Sequence, residues 1–314
     1  MPVDIAVIGL GHMGRIHLKK LMEIERANPV CLIDKDEGLL DELSKSYDIN
    51  TCRDYTDLPY NIRGAVIATP TESHFEIAEV LLKRGVNIFI EKPITKGLSE
   101  AERLIDLATK TGLILQVGHI ERFNLAFKRA IQWIKRPLYI EARRISGFTG
   151  RSNDIDVVLD LMIHDVDLIL SIIPKDIIEI KAIGTPLVTE KIDVANATIY
   201  FEDGSMANLT ASRVAPTRQR SLTIIEKDRA IYIDLLNAKL SVGLKDGSGE
   251  LIYTEYQAED IDPVKEEMVE FINAIEGKTV PVVSGKDGLN ALRLVNKIKE
   301  AIGKKVCKEV LIKG

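Results

Sequence analysis

The first 34 residues constrain the fold more than any later stretch. The apolar run IAVIG leads into GLGHMG, which sets Gly9, Gly11 and Gly14 between a strand and a helix-like segment from His12 to about Glu23. In that setting the spacing G-x-G-x-x-G has a physical meaning. The first glycine permits a tight turn, the second lets a pyrophosphate approach the backbone, and the third lets helix pack on strand. Free N–H groups at the helix start hold the anion. His12 and Met13 complete the turn. Asp34 ends the second apolar run, VCLID, twenty positions after Gly14. A carboxylate there binds the adenosine ribose diol and repels a 2′-phosphate. The reading is therefore NAD rather than NADP, with Lys35 offsetting part of the charge.

The same alternation continues. KDEGLLDELSKSY follows the second run, and AVIATP, VNIFIEKP and LILQVGH are each followed by a helical pattern, at Ser73–Arg84, Ser99–Thr111 and about Phe123–Ile134. Continuous apolar runs separated by helices predict a parallel sheet covered on both faces. After about Pro137 the pattern changes to strict alternation, as in LYIEARRISGF and IDVANATIYFEDGSMANLTASRV, with turn signals at Glu202-Asp203-Gly204 and Lys245-Asp246-Gly247. That predicts antiparallel hairpins. Helices are expected at about Val157–Ile173, 263–277 and 285–302. A chain of 314 residues exceeds one ordinary domain. The expectation is an α/β protein: an N-terminal Rossmann dinucleotide-binding domain over 1–120, and a C-terminal α/β domain with a large, mostly antiparallel sheet over 121–314.

Several classes are excluded. A net charge of −5 and the lack of a basic stripe argue against nucleic acid. No apolar run reaches the ~18 residues of a membrane span. The N-terminus reads as a strand rather than a signal peptide. Cys31, Cys52 and Cys307 are odd in number and form no C-x-x-C pair, so a reduced, cytoplasmic chain without a structural metal is expected.

In an open α/β sheet, ligands sit outside the carboxyl ends of the strands. Thr69, Pro70, His74, Glu91, Lys92, Gln116 and His119 all fall at or just after such ends. In Glu91-Lys92-Pro93 the lysine stands between a carboxylate and a proline of fixed φ. Beside an oxidised nicotinamide it is suited to take or relay a proton; a surface salt-bridge lysine is the competing reading. DLMIHDVD, Asp160 to Asp167, places three aspartates and a histidine inside the apolar run VVLDLMIHDVDLILSII. At helical spacing Asp160, His164 and Asp167 share one side. A polar stripe on an apolar helix suits the border of a cleft, with His164 as proton acceptor or donor. An interior His–Asp pair is the alternative. A metal site is weaker, since no further His or Cys cluster accompanies it.

Taken in order, GLGHMG, ATPTESH, EKP, GHIERFN and DLMIHDVD resemble the glucose–fructose oxidoreductase / inositol dehydrogenase / MocA family over essentially the whole chain. The resemblance implies a Rossmann domain followed by an α/β domain whose sheet often forms the oligomer interface, hence a homodimer or homotetramer. It matches Lys92 to the EKP lysine and Asp160 and His164 to the D-x-x-x-H pair, the three groups around the reacting carbinol. Thr69 and Glu91 match positions lining the nicotinamide half of the cofactor. His119, Arg122 and Asn124 of GHIERFN, with Asp160 and His164, form the implied substrate set. GHIERFN with LDLMIHDVD looks most like the UDP-N-acetylglucosamine 3-dehydrogenase branch, in which Arg122, Arg143 and Arg144 could meet diphosphate oxygens; ordinary surface pairing is the competing reading for these arginines. Thr71 stands where the family often has Asn, and Leu125 where Pro is common.

Overall fold

In the computed structural model, residues 1–150, 155–257 and 261–312 are described, with side chains as far as residue 303. The chain forms two compact units, Met1–Ile120 with Asp262–Leu289, and Glu121–Ile261 with Asn290–Gly314. A single cut after residue 120 would leave residues 262–289 in the second domain. They join the first because α7 (Pro263–Ile275) buries Met268, Phe271 and Ile272 in the core built by Val3, Ile5, Val7 and Phe89.

The first unit is a parallel sheet of six strands, β1 (Val3–Ile8), β2 (Ala27–Ile33), β3 (Asn50–Cys52), β4 (Gly64–Ile67), β5 (Asn87–Glu91) and β6 (Leu115–Gly118), in the order β3-β2-β1-β4-β5-β6. Helices α1 (His12–Met22), α2 (Glu37–Tyr47), α3 (His74–Lys83) and α4 (Leu98–Thr111) connect them. Strand β4 is buried at every position and β1 at all but Asp4, as a sheet covered on both faces requires. The strand order reverses between β1 and β4, which leaves a crevice at their carboxyl ends.

The second unit is an eight-stranded sheet in the order β14-β13-β12-β11-β7-β10-β9-β8. Its strands are β7 (Tyr139–Ile145), β8 (Ile177–Thr185), β9 (Val194–Phe201), β10 (Met206–Ser212), β11 (Gln219–Ile225), β12 (Arg229–Asp234), β13 (Lys239–Lys245) and β14 (Leu251–Gln257). All neighbours are antiparallel except β7 and β10. On β9, Ala195, Ala197, Ile199 and Phe201 face the core while Asn196 and Thr198 face outward. The small alanines of β9 and β10 leave room for the helix that runs through DLMIHDVD. That helix opens with a π-helical turn at Val158–Met162 and continues as α6 (Ile163–Ile172). The last helix, α8 (Gly285–Ile312), adds Ala291, Leu294, Val295 and Ile298 to the same core. In the Lys245–Leu251 hairpin the left-handed residue is Gly249 (φ 96°), not Gly247. Asp246 closes that turn by accepting from the Ser248 and Glu250 N–H groups at 2.9 and 3.0 Å.

Candidate active site

In the first unit, the turns after β1 and β4 touch. Gly9 has φ 85°, and a Cβ there would stand 2.7 Å from Ala68 C and Thr69 N. Gly14 and Gly11 do different work. A Cβ on Gly14 would lie 1.8 Å from the Gly9 carbonyl oxygen, whereas one on Gly11 would meet nothing within 4 Å. The first lets α1 pack on the turn; the second leaves the backbone open to an incoming group. Helix α1 starts without a side-chain cap and without an acidic residue in its first turn, so its orphan N–H groups face an open approach. Gly11 and His12 are exposed and Met13 is half-buried. Asp34 is oriented by the backbone: Oδ2 accepts from Leu10 N at 2.6 Å and Oδ1 from Asp36 N at 3.0 Å. An uncapped helix start beside a fixed carboxylate fits the pyrophosphate and ribose diol of a dinucleotide.

Thr69, half-buried after β4, accepts at its hydroxyl from Ser73 Oγ at 2.9 Å, and Pro70 is exposed. Two expected cofactor residues are not available to a ligand. His74 is buried, with Nδ1 3.0 Å from the Pro93 carbonyl oxygen and Nε2 2.9 Å from that of Thr69. Burial lowers its pKa in spite of both carbonyls; the neutral ring has one N–H to give, and braces one loop against the other. Gln116 is fully buried and donates to the Glu267 carbonyl oxygen at 3.2 Å.

Strand β5 ends at Glu91. Its Oε1 lies 2.7 Å from His17 Nε2 on α1, and its Oε2 accepts from the Lys92 N–H at 3.1 Å. Burial works to raise the Glu91 pKa, but His17 and then Lys92 outweigh it and hold the carboxyl below its ordinary value. Phe89 packs edge-on against the His17 ring at 5.1 Å. Lys92 is half-buried and precedes the cis peptide to Pro93. Sequence reasoning did not single out His17 as the partner of Glu91. Its place on the inner side of α1, one residue before buried Leu18, was the available signal.

In the second unit, the polar residues of DLMIHDVD divide. Asp160, on the π-helical turn, and His164 are half-buried. Asp160 lines a cavity of about 100 Å³ with Ser146, Thr149 and Arg213. Asp165 and Asp167 turn the other way and are buried. The Asp165 carboxylate accepts from Arg144 on β7 at 2.7 Å, and the same guanidinium donates to Glu121 at 2.7 Å. Burial raises the Asp165 pKa although Arg144 opposes it, and the Arg144 pKa is raised by Asp165 and Glu121 against the effect of burial. Asp167 accepts a two-pronged bond from Arg122, at 2.6 and 3.0 Å.

This corrects the expected stripe: Asp167 is a clamp, not a partner of Asp160 and His164. For Arg122 and Arg144 the pairing alternative to a diphosphate fork is the one seen: both guanidiniums are engaged by carboxylates. Arg143 is exposed. Asn124 caps α5 (Leu125–Ile131) through Ala126 N at 3.1 Å and donates to the Leu235 carbonyl oxygen at 2.8 Å, so it too is structural. His119 is buried. Among the described residues no group of three or more His, Cys, Asp or Glu is arranged to hold a metal ion, and no helix is long and apolar enough to cross a membrane.

Residues 3–119 match the family described as "Oxidoreductase family, NAD-binding Rossmann fold", and residues 133–231 match the "GFO/IDH/MocA C-terminal domain". The chain is 33% identical to the UDP-N-acetylglucosamine 3-dehydrogenase of Acidithiobacillus ferrooxidans, covering 94% of this chain and 96% of that protein. It is 27% identical to the scyllo-inositol 2-dehydrogenase (NAD(+)) of Bacillus subtilis, over 91% and 90% of the two chains. The solved structure of the Acidithiobacillus enzyme superposes with a TM-score of 0.90 at 32% identity, over 96% of this chain and 98% of that one. A scyllo-inositol dehydrogenase from Lactobacillus casei with bound NAD(H) and scyllo-inositol shares the fold, with a TM-score of 0.83 at 22% identity over 97% and 98% of the two chains.

Proposed function

The chain belongs to the Gfo/Idh/MocA oxidoreductase family, and from that premise we propose that it is an NAD-dependent dehydrogenase that oxidises the 3-hydroxyl of UDP-N-acetylglucosamine to a ketone. One observation carries the dehydrogenase reading within the molecule: an open, uncapped helix start and a backbone-oriented Asp34 share a crevice edge with β5, which ends at Glu91 directly before Lys92. When bound there, NAD supplies the acceptor for the hydride. The residues of the chain bind, orient and move the proton. Gly9, Gly11, His12, Met13 and Gly14 hold the pyrophosphate end, Asp34 the ribose diol, and Thr69, Pro70 and Glu91 the nicotinamide half. Lys92 and His164 are the groups that can accept the hydroxyl proton, and Asp160 holds the carbinol in line. Positioning of these groups supplies much of the rate, since the hydride chemistry belongs to the cofactor.

A cyclitol or free-sugar substrate is the second reading. It is favoured by the engagement of Arg122 with Asp167 and of Arg144 with Asp165 and Glu121, which removes two guanidiniums from any diphosphate. Formation of reduced nicotinamide from UDP-N-acetylglucosamine, N-acetylglucosamine, glucose and myo-inositol separates the two. Turnover with the nucleotide sugar alone supports the first; turnover with free myo-inositol in preference to it transfers the function to the second. Lys92→Ala and His164→Ala should each lower kcat about a hundredfold or more if they carry the proton. Full activity in the double variant refutes the assignment. We place the protein in the cytoplasm, as a homodimer or homotetramer built on the outer face of the second-unit sheet, where Tyr232, Leu251 and Tyr253 are exposed. Light scattering on wild type and on Tyr232→Asp, Tyr253→Asp tests that assembly.

A further inference from the structure

Helix α7 carries an acid where the core should be apolar. Glu267 is 1% exposed and directly precedes Met268, which with Phe271 is fully buried in the first-unit core. Its Oε1 has no hydrogen-bond partner, and among the described residues no cation pairs with it. An isolated carboxylate there would be costly, and such a group ordinarily neutralises instead. The charged groups on neighbouring elements are committed elsewhere. On α1, Lys20 pairs with Glu23 and Asp262, Glu23 with Lys265, and His17 with Glu91. Arg26 pairs with Glu276 just beyond the opposite end of α7. On β6 the neighbour is uncharged: Gln116 donates to the Glu267 backbone, and its own Oε1 is likewise buried without a partner. The charge that does act on Glu267 is a second carboxylate, Glu91. Burial first, and Glu91 second, push the Glu267 carboxyl well above its ordinary range, while Glu91 is held below its own. Two acids whose environments drive them apart in this way titrate as a pair, with one member keeping the proton.

We propose that Glu267, buried in the first-unit core with its Oε1 unpartnered, is a neutral, protonated carboxylic acid and a positioning residue that keeps Glu91 the sole anion of the pair beside Lys92. The functional half rests on the reading that Lys92 handles the substrate proton. Glu91 uses its charge to accept from His17 and from the Lys92 N–H. Were Glu267 to ionise, two anions would share a dry region. Repulsion between the two carboxylates would then strain the bonds that Glu91 accepts from His17 and the Lys92 N–H, loosening the strand end that precedes Lys92. The pair should therefore set an alkaline limit on turnover.

The test begins with the folded protein and its infrared spectrum at pH about 7, a pH at which an ordinary glutamate is fully ionised. A protonated carboxylic C=O band is expected in wild type and absent in Glu267→Gln; identical spectra overturn the proposal. The second measurement is thermal unfolding against pH. A group held protonated by folding contributes stability that falls as pH rises from the unfolded value to the folded one. The wild-type unfolding constant should therefore carry an extra rise of about tenfold per pH unit across that window. Glu267→Gln should lack it, and equal slopes overturn the proposal. If that variant does not fold, Glu91→Gln serves instead: with the like charge removed, the infrared band should titrate at lower pH, and no shift is a refutation. In activity, the alkaline fall of kcat should move to higher pH in Glu267→Gln, and a wild-type profile without that fall overturns the positioning role. If the infrared and stability results hold while Lys92→Ala keeps full turnover, the role given to Lys92 fails and the buried acid stands.

Discussion

Replacing Arg144 by methionine tests the account of the second unit most severely. Arg144, Asp165 and Glu121 are 3, 2 and 6% exposed, and the guanidinium makes its closest contacts at 2.7 Å to each carboxylate. Methionine keeps much of the stem and removes the charge, leaving two buried carboxylates with Arg220, 3.3 Å from Glu121, as a remaining cation at the site. Breaking a buried pair from one side costs about 3–5 kcal/mol, most of it the uncompensated charge that remains. We expect about 4 kcal/mol at neutral pH. Asp165 is already raised by burial with Arg144 present, and losing the cation raises it further. The native variant then holds a proton that the unfolded chain releases, so its stability falls as pH rises above the unfolded value of about 4. Between about pH 5.5 and 7.5 the cost of the substitution should grow, by at most about 2.7 kcal/mol for one proton. Trp133 is the single tryptophan and packs on the second-unit core, so its fluorescence in urea follows that unit. Arg144→Met, Asp165→Asn, Glu121→Gln should recover most of the loss. A cost under about 1 kcal/mol at neutral pH, or one that does not change with pH, would refute the clamp.

Two glycine substitutions should part company. Gly11→Ala, whose Cβ meets nothing within 4 Å, should melt like wild type yet bind NAD more weakly by calorimetry. Gly14→Ala, with its Cβ 1.8 Å from Gly9 O, should lose about 1–3 kcal/mol or more in stability along with the cofactor; equal melting temperatures would contradict the packing role. Asp193 accepts from Leu187, Val188 and Thr189 N–H groups at 2.7, 2.7 and 2.9 Å. Burial opposes ionisation there, but those donors hold its pKa below the usual range. Its contribution is present above the unfolded value and lost as pH falls through the folded one. Asp193→Ala should cost about 3 kcal/mol at neutral pH in the Trp133 signal, and a loss under about 1 kcal/mol would reject it.

The parallel half of the fold was legible because its signals are local. A strand, three glycines and an acid at fixed spacing need nothing distant to be recognised, and the crevice follows from them. Residues 262–289 were misplaced because α7 reaches its core from more than a hundred residues away, and no periodicity records which core an amphipathic helix will join. His74, Gln116 and Asn124 were read as ligand-facing from their positions beside strand ends and motifs. Such positions also need braces and caps, and the carbonyls those side chains bind are invisible in a sequence. Strand β8 was missed: inward-facing Ala182 and exposed Ile178 and Ile183 obscure its alternation.

The stretch DLMIHDVD shows why charge inside an apolar helix is hard to interpret. Apolar contact is non-directional; the buried side chains of α6 favour burial without fixing the rotation of the helix about its axis. Two-pronged arginine–carboxylate bonds are directional. Asp165 and Asp167 are one and three residues from His164 and are held by guanidiniums on β7 and in the segment before α5. A rotation of α6 that preserved its apolar burial would still break both sets of bonds. The clamps therefore set where Asp160 and His164 point, at a desolvation cost that a wholly apolar helix would avoid. Counting residues four apart groups Asp167 with His164; pairing it with Arg122 requires knowing that residues 122 and 167 meet. A half-buried histidine proposed for proton transfer and an aspartate buried to hold its helix can stand side by side in sequence, and only their surroundings tell them apart.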